Sequence, residues 1–176
     1  HINALGIRIS HIDQPAHRRR DLRFGDHDVP RLASRVGREQ ARIGAMLLLT
    51  LRGTPTLYYG DELGMVNVTV PPEKMQDPQA QGTTGFNRDK CRTPMPWDAS
   101  ANGGFSPAGV ETWLPVAPNF AEINAQAQRD NPASMLNFQR ALLAYRKTTP
   151  ALQIGSYASL DAPDGVFAYI RQHEGE

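Results

Sequence analysis

Apolar and polar positions fall into distinct blocks along this chain. The clearest is REQARIGAMLLLTLR, residues 38–52, which is rich in Ala, Leu, Met, Glu and Arg and holds no proline. That composition predicts a helix whose apolar run faces a sheet, with Gly53 as its terminator. The next block, Thr54-Pro55-Thr56-Leu57-Tyr58-Tyr59, is short, apolar and aromatic and is closed by Gly60; it predicts a buried strand. Farther on, Asn131-Pro132 gives a cap and first-turn signal for a second helix ending before Pro150. Its Met135, Phe138, Leu142 and Tyr145 recur at helical spacing and are expected to form a core stripe. Residues 155–160 and 166–171 read as two strands around the turn at 161–165. Between these blocks, residues 71–109 are rich in Pro, Gly, Asp, Asn and Gln, which predicts a long excursion with little regular structure.

The candidate chemistry sits at the block boundaries. Asp61 and Glu62 fall where the first predicted strand ends, and Asp28, preceded by His27, stands in the equivalent place ahead of the first helix. In parallel α/β architectures the C-terminal strand ends and the loops after them carry the reacting groups.

Three stretches in this order carry a resemblance: HDVPRLASR, GTPTLYYGDELGM and FNRDKCRTPMPWD. They resemble signature segments of the α-amylase family of glycoside hydrolases, most closely its bacterial α-glucosidase and oligo-1,6-glucosidase branch. The first is similar to the segment at the end of the seventh barrel strand, the second to the eighth strand with its loop, and the third to an arginine-containing loop before the last barrel helix. The resemblance implies an α/β fold: a partial (β/α)8 barrel of about the last two strand-helix units, then the beginning of an antiparallel β-domain. The implied division is an atypical N-terminal segment at 1–23, the C-terminal part of a barrel catalytic domain at 24–152, and the start of the β-domain at 153–176.

Residue by residue, the resemblance makes Asp28 the family's third catalytic carboxylate, which hydrogen-bonds sugar hydroxyls and favours the oxocarbenium-like transition state. His27 is its partner on the same sugar. Arg92, and in second place Arg88, resembles the arginine that helps recognise the sugar. The substrate implied is an α-glucoside or maltooligosaccharide, cleaved with retention. Asp26 departs from the pattern, since the family usually has Asn there, and it adds like charge beside Asp28. The two principal carboxylates of a retaining glycosidase, roughly 5 Å apart, lie on earlier strands in the family and have no matching positions here. A site working without them would have to recruit Asp61, Glu62 or Asp89, each of which reads first as a solvated or salt-bridged loop residue. Trp97, Phe105 and Trp113 read first as packing anchors and second as sugar-stacking surfaces.

Composition narrows the partners. The chain has 176 residues and a formal net charge of +1, which argues against nucleic-acid or membrane-surface binding driven by bulk charge. The cluster His17-Arg18-Arg19-Arg20 reads as a solvated arm. Cys91 is the single cysteine, so neither an internal disulfide nor a cysteine metal cluster is expected. No metal and no cofactor are expected, because there is no Gly-rich phosphate cradle ahead of a helix and no histidine pair at helical ligand spacing. No apolar run reaches the roughly 20 residues of a membrane span, and no secretory signal is recognisable, which favours a cytoplasmic location. The chain begins with His1 rather than Met, which suggests a processed, trimmed or partial chain; the bias of residues 1–23 invites the reading of a fusion or of an out-of-frame upstream sequence. A partial barrel exposes strand edges and an apolar face, so homo-oligomers or aggregates are expected.

Overall fold

The computed structural model describes residues 21–81 and 87–175. Most of the atypical segment, its arginine cluster included, therefore lies outside the described residues. The last three residues of that segment form a short strand, β1 (Asp21–Arg23), parallel to β2 (Thr54–Thr56), with Leu22 opposite Pro55. Parallel strands need a crossover, and two helices supply it: α1 (Leu32–Val36) and α2 (Arg38–Thr50). Gly37 separates them at φ 82°, a left-handed backbone that glycine adopts without penalty.

One side of α2 buries Ala41, Ala45, Leu47, Leu48 and Leu49. Phe24, Leu32, Ala33 and Leu51 complete the core next to it. The helix stops at Thr50, two residues before the expected end, because Leu51 turns to an extended conformation (φ −68°, ψ 161°) and is wholly buried. Gly53 is thus the entry to β2 rather than the helix terminator.

β2 is shorter and more exposed than its sequence suggests. The ladder ends at Thr56; Thr54 and Thr56 are exposed, as are Leu57 and Tyr59 at 39% and 38%. The reason is that, among the described residues, β1 is its sole neighbour and its other edge is open. Tyr58 and Tyr59 leave the ladder to tie down a distant loop, their hydroxyls donating to Cys91 O at 3.0 Å and Thr93 O at 2.8 Å.

Residues 71–109 hold only isolated 3₁₀ turns among the described positions, at Pro72–Lys74, Pro78–Gln81, Asp89–Cys91 and Ala101–Gly104, as the composition predicted. A short helix α3 (Ala125–Arg129) follows, then α4 (Met135–Thr148) and α5 (Pro150–Ile154). The cap of α4 is Ser134, whose hydroxyl accepts from Asn137 N at 3.1 Å; Asn131 instead organises the preceding turn, accepting from Ala133 N at 3.0 Å. The expected core stripe is a correction as well. Met135, Phe138 and Leu142 are half-buried and Tyr145 is 59% exposed, while the one fully buried residue of α4 is Gln139. This helix packs on α2, with α3, α5 and the turn at Asp61–Leu63 as smaller neighbours, and Arg140, Ala141 and residues 143–145 stay exposed.

The last element pair, β3 (Ser156–Leu160) and β4 (Ala168–Gln172), is the antiparallel hairpin anticipated from sequence. Tyr157, Phe167 and Tyr169 pack against the α2 core. Arg146 and Arg171 close the C-terminal end of α2, donating to Leu49 O and Thr50 O at 2.8 Å each, where helix carbonyls otherwise lack partners.

Candidate functional site

The loop after β1 is shaped by Asp26. Its Oδ1 accepts from Asp28 N at 2.7 Å and Val29 N at 3.1 Å, and its Oδ2 lies 3.2 Å from Arg23 Nε. The carboxylate that departs from the family pattern is therefore matched by an arginine and two amides on its own loop. This turn presents His27 and Asp28 outward, with side chains 65% and 50% exposed.

Two arginines from the loop after β2 converge on Asp28. Arg92 donates through Nε to His27 O at 2.8 Å and through Nη2 to Asp28 Oδ1 at 2.9 Å. Arg88 reaches the same Oδ1 through Nη1 at 3.4 Å. On the other oxygen, Oδ2, the His27 imidazole Nε2 stands 3.4 Å away. Sequence reading offered Arg92 or Arg88 for a single role beside Asp28 and His27; both arginines reach the same Asp28 oxygen. The product is a half-exposed carboxylate that two guanidinium groups reach, an arrangement suited to accept hydrogen bonds from hydroxyls.

Behind this pair lies Asp77, which sequence reading missed. Its side chain is buried and takes a two-point fork from Arg88, Nε to Oδ2 at 2.9 Å and Nη2 to Oδ1 at 2.6 Å. Hydrogen bonding to Arg88 holds the Asp77 carboxyl well below the usual carboxylate range. Asp89, equally buried, accepts from Gln76 N at 2.7 Å and Asp77 N at 2.9 Å through one oxygen. The signal available for Asp77 was an Asp-Pro pair inside a loop, which by itself reads as a turn.

Compared with known proteins, residues 8–155 match the description "Alpha amylase, catalytic domain". The chain belongs to the α-amylase family. It is 36% identical over 161 residues to "Probable alpha-glucosidase" of Rhizobium meliloti, covering 87% of this chain and 29% of that protein. It is 35% identical to "Oligo-1,6-glucosidase" of Halalkalibacterium halodurans, covering 88% and 32%. Among solved structures, trehalulose synthase MutB from Pseudomonas mesoacidophila MX-45 superimposes with a TM-score of 0.77 at 36% identity, over 88% of this chain and 33% of that one. The alpha-glucosyl transfer enzyme XgtA gives 0.81 at 38% identity, over 88% and 30%. The chain therefore spans about a third of the length of these relatives. Its fold is the expected one, an α/β chain forming part of an α-amylase-family (β/α)8 barrel, and the family match begins at residue 8, inside the segment that sequence reading set apart.

Within this α-amylase-family chain the other candidate carboxylates lie elsewhere. Asp61 packs under Gly25 and has a buried Oδ1 without a partner. Burial pushes its carboxyl up to about 6, against the opposing charge of Arg31. Glu62 lines a groove of about 330 Å³ with Leu57, Tyr59, Leu136, Arg140 and Leu143. Arg31, also missed although it stands in the first matching motif, is fully buried, donates to Tyr59 O at 2.6 Å and lies over both tyrosine rings. Trp97, Phe105 and Trp113 are 49%, 52% and 65% exposed, so none is the packing anchor expected of it; the loop that carries them is braced by backbone and Asn102 hydrogen bonds instead. Asp26, His27 and Asp28 bring ligand atoms within 4.8 Å of one another, as a metal would require, but Arg23, Arg88, Arg92 and the loop amides already engage the two carboxylates.

Proposed function

We propose that this chain is the part of an α-glucosidase-type glycoside hydrolase that carries the third catalytic carboxylate, Asp28, with His27 and Arg92 beside it. The whole protein hydrolyses α-glucosidic bonds of short glucosides or maltooligosaccharides with retention. The observation that carries this reading is the double grip of Arg92, which joins His27 O and Asp28 Oδ1 in one guanidinium and so fixes the carboxylate between the loops after β1 and β2. As the glycosidic bond breaks, the sugar ring gains positive charge and flattens. A fixed negative charge and hydroxyl contacts that tighten with flattening lower that barrier.

On this reading the nucleophile and the general acid come from sequence outside these 176 residues, in line with a chain that spans 29% of the Rhizobium relative. The positions of the local carboxylates support it: Asp89 is occupied by backbone amides, Asp61 is under Gly25, and Glu62 faces a groove shared with α4. We assign β1 together with residues 24–152 to the barrel and 153–176 to the start of the following β-domain. The test is hydrolysis of p-nitrophenyl α-glucoside and maltose by the purified chain. No turnover is expected; turnover that disappears in Glu62→Gln would mean a site rebuilt from local carboxylates and would overturn the proposal.

A second reading, self-assembly without catalysis, is favoured by one feature. Among the described residues one edge of β2 has no partner strand, while Leu57, Tyr59 and Leu143, which share a groove, and Ile43 and Met46 of α2 are exposed. Such surfaces drive association. Sedimentation velocity should then show species larger than a monomer at micromolar concentration, and a clean monomer would remove this reading.

A further inference from the structure

We infer that Asp77 is a positioning residue for Asp28 and acts through Arg88, an inference that rests on the reading of Asp28 as a sugar-contacting carboxylate. Arg88 spends two of its three side-chain nitrogens on Asp77, at 2.9 and 2.6 Å, and its backbone N–H donates to the same carboxylate at 2.9 Å. Gln79 N adds a fourth donor at 3.1 Å. Four donors fill the capacity of a carboxylate, and the fork sets the plane of the guanidinium. The remaining nitrogen, Nη1, is thereby aimed at Asp28 Oδ1.

The anchor is rigid for a second reason. Asp77 is wholly buried, and Asp89 beneath it holds the backbone amides of Gln76 and Asp77. Two buried carboxylates and one arginine thus form a strut from the loop interior to the half-exposed Asp28. A long side chain held in one orientation before substrate arrives loses no rotamer freedom on binding. The strut also keeps Oδ1 of Asp28 occupied, together with Arg92, so that Oδ2, with His27 Nε2 3.4 Å away, is the oxygen that takes a sugar hydroxyl. Arg88 on this account orients the carboxylate and does not itself grip the substrate.

The experiment uses the intact chain, labelled for NMR, with Asp77→Asn, Arg88→Lys and Asp28→Asn, and has an arm that needs no sugar. In wild type, rotation about the Arg88 Nε–Cζ bond should be slow. Asp77→Asn should accelerate it and move the Asp28 13Cγ resonance. Arg88→Lys keeps the charge but cannot fork, and should move the Asp28 resonance in the same direction. A merely structural role for Asp77 would lower thermal stability and leave Asp28 13Cγ in place, which would overturn the inference. If Asp77→Asn does not fold, Arg88→Lys decides by the same resonance. In the second arm, maltose titration, both variants should bind roughly tenfold more weakly, the equivalent of one charge-assisted hydrogen bond. Wild type without any maltose response at Asp28 would sink the functional reading while the sugar-free arm still decides the strut.

Discussion

Gly25 and Asp61 are in direct contact: a Cβ placed on Gly25 would lie 2.7 Å from Asp61 Oδ2. The backbone that leads from β1 to His27 and Asp28 therefore runs over the carboxyl at the end of β2, and a side chain at residue 25 would require Asp61 to shift. Gly25→Ala should cost about 1–3 kcal/mol of stability through overpacking. Urea unfolding measures it, and the cost should shrink in an Asp61→Ala background, since contacting residues couple.

Asp61 also predicts a pH dependence. Its folded carboxyl is raised from the ordinary 3.8 to about 6, chiefly by burial. The folded chain then holds a proton that the unfolded chain releases, so this stabilisation is fully present below about pH 4 and is lost as pH rises through about 6, in total ~3 kcal/mol. Asp77 works in the opposite sense in a separate window: its carboxyl is lowered by Arg88, so its contribution is present above its ordinary 3.8 and lost as pH falls below it. Stability curves at pH 4, 5, 6 and 7 should decline for wild type and flatten for Asp61→Asn.

The C-terminal end of α2 depends on donors from distant sequence. Arg171 gives Nη1 to Thr50 O at 2.8 Å, Nη2 to Gly155 O at 3.0 Å and Nε to Ser156 O at 2.9 Å, tying helix, hairpin and connection together. Arg171→Met preserves the apolar stem but leaves part-buried carbonyls of Thr50 and Gly155 without this donor, and should cost about 1–2 kcal/mol and open the hairpin to protease. Arg171→Lys should recover only a part, because an ammonium cannot span three carbonyls in a planar fork. Thermal melts and limited proteolysis check both.

Much of this architecture is legible in the residues because local signals and tertiary contacts agree. Helix α2 has propensity, apolar face and absence of proline acting together, and the hairpin has a turn rich in Asp, Pro and Gly between alternating strands. Asp28, His27 and one of two arginines were candidates through the family resemblance; that both arginines reach Asp28 was not legible there. Asp77 was not legible either, because a carboxylate in a polar loop gains its role only when Arg88, 11 positions farther on, is brought against it. Nor was the choice of Ser134 over Asn131 as the cap of α4, since both residues are good caps and the turn stabilised by Asn131 decides between them. The exposure of Tyr145 and of β2 escaped sequence reading for a common reason: periodicity marks a face that wants a neighbour, and the neighbour must exist for the face to be buried.

The most direct test of the account is binding of maltose and isomaltose to the intact chain, followed by saturation-transfer NMR beside Asp28→Asn, Arg92→Ala and Glu62→Gln. The account predicts weak binding in wild type, a loss of at least about tenfold in Asp28→Asn and Arg92→Ala, and no change in Glu62→Gln. Binding that survives unaltered in Asp28→Asn, or no binding of either sugar by wild type, would contradict the assignment of this loop cluster as an α-glucoside subsite.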